Sequence, residues 1–304
     1  MPQHVAMTSR VRHRSRVAVA VAGLPSPWLI AMAWVALPCG AAHAQPSGAP
    51  VPASHHQTCP APVPYPSDEV IRQNLVPGKA ARVAPSYRRF LDSLAANVQR
   101  DPSNLCRFRA ENMEQARKGR PSVVMIGDSI TESWLSASPE LRAAGFVNRG
   151  ISNQTSGEVR ARFRQDVIAL RPSLVHVLVG TNNIAGIGKP FDRQTFEADI
   201  RAIIELSKAA RIALIIGSIL PVNRYPWNPD LVPENSIRSL NAWLRDTARS
   251  NDATFVDYYR AFTTSSQYMP DRLTNDGVHP NIDGYRVMTP LLVSATRAAR
   301  GKRN

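Results

Sequence analysis

The chain reads as an α/β protein of three layers built around a parallel sheet. Two observations carry that reading. From Ser122 onward, short apolar runs alternate with amphipathic segments of helical period. Each apolar run also stops at a Gly or an Asp, where the chain turns. Strands separated by helices pair in parallel through right-handed crossovers, which places helices on both faces of the sheet.

The elements follow in order. Residues 1–44 are set apart first. Arg10, Arg12, Arg14 and Arg16 precede an apolar run that is densest from Trp28 to Leu37, and Ala42-His43-Ala44 closes it with a small-x-small pattern. That is the layout of a cleaved signal peptide. The run between Pro27 and Pro38 is too short to span a bilayer. Residues 45–85 are rich in Pro, Ala and Ser and read as an irregular arm. The main domain is expected over 86–300. It opens with a helix near Pro85-Ser86 that places Tyr87, Phe90, Leu91 and Leu94 on one face, and a second helix follows over 108–118. Strands are expected over 123–126, 174–179, 212–216 and 253–256, ending at Gly127, Gly180, Gly217 and Asp257. Helices fill 155–170, 193–209, 235–249 and 284–299. In open parallel sheets ligands bind at the carboxyl ends of the strands, so those ends hold the informative residues.

Composition narrows the partners. The net charge is +14, and losing the four leader arginines lowers it to about +10. Basic residues are scattered among acids, with no block of five, so nucleic acid is not an expected partner. Past the leader no segment is long enough to span a membrane. Export to the periplasm or beyond is the expected location. There the two remaining cysteines, Cys59 and Cys106, can form one disulfide that pins the arm to the body.

The chemistry gathers at the strand ends. Gly127-Asp128-Ser129 follows the first strand, and a Ser there exposes its hydroxyl where helix N–H groups favour negative charge. An ordinary helix cap has the same local sequence. A serine nucleophile needs a base. His4, His13 and His43 leave with the leader, His55 and His56 sit in the arm, and His176 lies inside a strand as a core imidazole. His279 remains, in a turn-rich loop with Asp276 three residues upstream. One turn can set both side chains on one side, so that the carboxylate orients the imidazole. An exposed His beside an Asp-Gly turn is the alternative. Oxyanion donors are expected from Gly150 and from Asn182, each beside a strand end.

Ser129, Gly150, Asn182 and Asp276–His279 in this order resemble the SGNH, or GDSL-type, hydrolase family, named for its Ser, Gly, Asn and His blocks. Ile130 stands where the GDSL name has Leu, and Asn183 where many members have Asp. Asp276-Gly277-Val278-His279-Pro280-Asn281 matches the last block well. The likeness covers roughly 120–294, in the manner of a bacterial exported branch. It implies a flavodoxin-like α/β/α sandwich. It also implies Ser129 as nucleophile, His279 as general base and acid, and Asp276 as its orienting carboxylate. The Ser129 and Gly150 N–H groups and the Asn182 amide would hold the oxyanion. No metal and no cofactor are implied.

Many relatives cleave short acyl esters, often acetyl groups on carbohydrates, or aryl esters, and that is the function expected here. Asp128, Asn183, Arg224, Tyr225 and Trp227 are candidate substrate contacts, the last three from the loop after the 212–216 strand. The competing expectations are a lysophospholipase or thioesterase for long acyl chains, an acyltransferase, and a catalytically silent glycan-binding protein.

Overall fold

The computed structural model describes residues 59–60, 64–78, 84–263 and 267–302. The leader expected over 1–44 and most of the Pro/Ala-rich stretch to 58 lie outside the described residues.

Five strands form one sheet: β1 (Val123–Gly127), β2 (Phe146–Gly150), β3 (Leu174–Leu178), β4 (Ala213–Gly217) and β5 (Thr254–Val256). Their order is β2-β1-β3-β4-β5 and every pairing is parallel. This is the flavodoxin-like order, in which the chain winds one way from β1 to β2 and the other way from β3 onward. The crevice of such a sheet opens between the carboxyl ends of β1 and β3.

Eleven helices surround the sheet among the described residues. They are α1 (Asp68–Asn74), α2 (Pro85–Asn97), α3 (Arg109–Lys118), α4 (Ser129–Ala137), α5 (Glu140–Ala143) and α6 (Ser156–Asp166). The rest are α7 (Thr181–Ile184), α8 (Arg193–Ala209), α9 (Glu234–Ser250), α10 (Tyr258–Phe262) and α11 (Ile282–Gly301). Strand side chains alternate between faces, so each strand feeds two cores. Val124, Ile126, Val175 and Val177 face α6, α8 and α9. Val123, Met125, Leu174 and Ile215 face α4 and α11, where Trp134, Tyr285 and Met288 meet them.

Two features differ from the sequence expectation. β2 is an additional strand, at the sheet edge, with Asn148 and Arg149 in its middle. The segment read as arm over 45–85 contains α1, and its Ile71 and the Leu75 that follows the helix are buried in the second core. The body therefore reaches back past the expected boundary at 86, because two apolar side chains with no other burial site dock on α4 and α11. Cys59 and Cys106 are joined by a disulfide that closes 47 residues. Among the described residues no helix is long and apolar enough to cross a membrane.

Candidate active site

Ser129 is the first residue of α4, two residues past the end of β1. Asp128 caps that helix, its Oδ1 accepting from the Ile130 N–H at 3.0 Å. The N–H of a first helical residue has no partner inside the helix and is free to meet an anion. Ser129 Oγ lies 2.9 Å from His279 Nε2. His279 Nδ1 lies 2.7 Å from Asp276 Oδ2. An ionised carboxylate only accepts, so Nδ1 carries the proton and Nε2 accepts from the serine hydroxyl.

The loop that carries the pair is locally determined. Asp276 Oδ1 accepts from the N–H groups of Val278 and His279 at 2.9 and 2.8 Å. The turn needs Gly277, whose φ is +79°. Thr274 Oγ1 donates to the His279 carbonyl at 2.7 Å and accepts from the Gly277 N–H. Desolvation pushes the Asp276 carboxyl up, but the His279 hydrogen bond and charge and the two backbone donors overcome it and hold it at about 2. Desolvation lowers the His279 pKa, yet the hydrogen bond to Asp276 and the charges of Asp276 and Asp128 outweigh it, so the net shift is upward.

Asn182 sits in α7, at the carboxyl end of β3. Its Nδ2 donates to the Gln154 carbonyl at 2.9 Å and keeps a second hydrogen for a ligand. A buried network holds these loops from beneath. Arg162, with no exposed side-chain surface, donates to the Gly127 carbonyl at 3.0 Å, to Gln154 Oε1 at 2.6 Å and to Asp166 Oδ2 at 3.1 Å. One guanidinium thus links the strand end before Ser129 to the turn against Asn182.

The structure brings Ser129, Asn182, Asp276, His279 and Trp227 to one cleft of about 440 Å³. It places five other expected site residues elsewhere. Gly150 does not offer its N–H to the cleft, since that N–H donates to Asn148 Oδ1 at 2.7 Å. A Cβ at 150 would lie 2.1 Å from the Glu132 nitrogen, so this glycine lets α4 pack on the end of β2. Asp128 is buried at 1% and serves as the α4 cap; burial pushes its carboxyl up to about 7. Asn183 faces α6, accepting from the Ser156 N–H at 3.0 Å and donating to Ser156 Oγ at 2.9 Å. Tyr225 is fully buried under Trp227, at 5.5 Å between rings. Arg224 lines a neighbouring groove with Asn223 and the outer edge of the Asp276 loop. His176 is a core residue, as its strand position implies. Its Nε2 lies 3.1 Å from the Tyr258 hydroxyl, and burial lowers it to about 3.

Other cleft residues escaped the sequence reading. Asn153 lines the cleft with φ +66°, a left-handed conformation that Asn tolerates better than most residues. Its N–H has no hydrogen bond among the described residues. Leu75, Tyr87 and Leu91 enter from α1 and α2. The apolar stripe on α2 was legible, but it divides: Phe90 goes to the interior at 1% exposure, while Tyr87 and Leu91 face the cleft. Among the described residues no group of three or more His, Cys, Asp or Glu side chains is placed to hold a metal ion.

A parallel sheet in this order, with a Ser–His–Asp chain at its crevice, defines a GDSL-type hydrolase. The chain belongs to the GDSL-like lipase/acylhydrolase family, whose profile matches residues 125–287, and it is a carboxylic ester hydrolase. It is 35% identical to a GDSL-like lipase of Bacteroides thetaiotaomicron of known crystal structure. That likeness covers 65% of this chain and 98% of the lipase, with a TM-score of 0.61. It is 28% identical over 159 residues to an acetylxylan esterase of Geobacillus stearothermophilus, covering 49% of this chain and 70% of that protein. An uncharacterised lipoprotein of Bacillus subtilis is 26% identical over 178 residues, covering 48% of this chain and 73% of the lipoprotein. Helices α1 and α2 lie outside the stretch that the family profile matches.

Proposed function

We propose that this chain is an exported serine esterase that removes short acyl groups, acetyl foremost, from carbohydrate esters. The hydrogen-bonded line from Ser129 through His279 to Asp276, opening into a small cleft, carries the reading. The likeness to an acetylxylan esterase supports the acetyl group and the carbohydrate. The disulfide and the likeness to a lipoprotein support export.

The proposed reaction has two halves. Ser129 Oγ attacks the ester carbonyl while His279 Nε2 takes its proton, and Asp276 stabilises the imidazolium that forms. The oxyanion meets the Ser129 N–H, the free hydrogen of Asn182 Nδ2 and the Asn153 N–H, which takes the place first expected of Gly150. His279 then returns the proton to the leaving alcohol. Water, activated by the same imidazole, attacks the acyl-enzyme and releases the acid. Trp227, 44% exposed and 6.2 Å from the His279 ring, offers an open face for a sugar ring.

The test is hydrolysis of p-nitrophenyl esters from acetyl to palmitoyl by the wild type and by Ser129→Ala. The expected result is a kcat/KM that is highest at acetyl and a Ser129→Ala loss of at least about 10⁴-fold with the fold intact. Undiminished turnover in Ser129→Ala would overturn the mechanism, and a maximum at palmitoyl would overturn the acyl assignment.

A further inference from the structure

We propose that α1 and α2 form a fixed wall that gauges acyl length, with Leu91, Leu75 and Tyr87 admitting acetyl and little more. This rests on the serine-esterase reading and assigns one end of the cleft to the acyl group and the other to the alcohol.

The wall is fastened to both loops that flank the reacting centre. On the His279 side, Asn275 Nδ2 donates to the carbonyls of Asn74 and Val76 at 3.1 and 3.0 Å, and the Ile282 N–H donates to the Leu75 carbonyl at 2.9 Å. On the other side, the Tyr87 hydroxyl lies 3.2 Å from Ser152 Oγ and donates to Glu132 Oε2 at 3.2 Å. Ser152 donates to that same carboxylate oxygen. Glu132 is 5% exposed, so this junction is shielded from water, where hydrogen bonds are costly to break. The Tyr65 ring meets Phe90 edge-on at 5.1 Å, and the Cys59–Cys106 bond ties the segment before α1 to the loop before α3. A segment held at both sides of the cleft acts as a wall, since swinging it away would break every one of these contacts.

The two ends of the cleft differ in chemistry. His279 hands the proton to the leaving oxygen, so the alcohol lies on the side of His279 where Trp227 stands open to solvent. That suits a sugar, which must keep most of its hydroxyls hydrated. The rest of the lining includes the Leu75, Leu91 and Tyr87 side chains and suits an apolar acyl group. The Tyr87 hydroxyl is already engaged, so the tyrosine offers the acyl group its ring.

The gauge is tested by measuring kcat/KM for p-nitrophenyl acetate, butyrate, hexanoate and octanoate in four forms: wild type, Ser129→Ala, Leu91→Ala and Leu91→Phe. Leu91 is only half-buried on α2, and thermal midpoints matching the wild type are the control that both Leu91 variants fold. Leu91→Ala is expected to raise the butyrate-to-acetate and hexanoate-to-acetate ratios by about 10-fold or more, since one methylene is worth about that much in a fitted pocket. Leu91→Phe is expected to lower the butyrate-to-acetate ratio. Ratios that stay put in both variants, with turnover still dependent on Ser129, overturn the gauge and leave the esterase standing. A wild type that prefers octanoate also overturns the gauge alone. A wild type that cleaves no ester overturns the esterase reading and the acyl assignment with it.

Discussion

The floor of the cleft and its wall are built by different means. The floor consists of loops at the ends of β1, β2 and β3 together with the Asp276–His279 loop, over a sheet whose central strands are buried on both faces. Beneath it Arg162 and Asp166 are both fully buried, and Arg162 ties Gly127 to Gln154. Removing one partner of such a pair costs about 3–5 kcal/mol, because the other charge is left unpaired in a dry interior. The wall has no comparable interior. It is a seven-residue helix and a thirteen-residue helix, each with a single buried residue, fastened by a disulfide and a few hydrogen bonds. The difference separates two properties of one enzyme. Proton transfer and charge stabilisation need atoms held within tenths of an ångström, which the floor supplies. Selecting an acyl group needs only a surface at the right distance, which the wall supplies.

Changes to the floor should therefore cost rate, and changes to the wall should alter selectivity and stability. The largest expected effect is at Asp276. Asp276→Asn should lower kcat by about 10⁴-fold, because His279 loses the carboxylate that fixes its tautomer. The pH profile adds a sharper readout. Catalysis needs neutral His279, and its pKa is raised by Asp276 over the ordinary value of about 6.5. The kcat/KM of the wild type should fall as pH drops through that raised pKa. In Asp276→Asn the acid limb should move to lower pH, and a limb that stays in place would break the link between the two residues.

A smaller effect is expected at the wall. The disulfide closes 47 residues, and in the loop-entropy account such a bond contributes about 2–4 kcal/mol. The double variant Cys59→Ser, Cys106→Ser should lose about that much in denaturant titration. Its acyl-length profile should broaden more than its turnover of acetate falls. Loss of turnover with an unchanged profile would place the wall's role in the floor and erase the comparison.

The floor was largely legible in the sequence, and the reasons are physical. A buried parallel strand is an uninterrupted apolar run, so β1, β3, β4 and β5 stood out. An amphipathic crossover helix repeats every 3.6 residues, and α8 spans the 193–209 expected of it. The Asp276–His279 pair is local, closed by one turn. β2 was missed because an edge strand is covered less completely, and Asn148 and Arg149 interrupt its apolar run. Gly150 misled for a related reason. Glycine marks a close backbone approach, but the sequence does not say to what, and here the neighbour is α4. Asn153 carried no signal, since its left-handed backbone appears only in three dimensions. The wall was the least legible. Tyr87 and Leu91 read as core positions of an amphipathic helix, and only contacts with distant parts of the chain, such as Tyr87 with Glu132 and Ser152, turn that helix toward the cleft.

The central claim is that the chemistry of this chain runs through one serine at the end of β1. The most direct measurement is to treat the full chain with an alkyl fluorophosphonate and locate the adduct by peptide mass spectrometry. The account predicts a single adduct, on Ser129, absent from Ser129→Ala and slow to form in His279→Ala. An adduct on Ser133 or Ser152, or ester turnover that persists with Ser129 blocked, would contradict it.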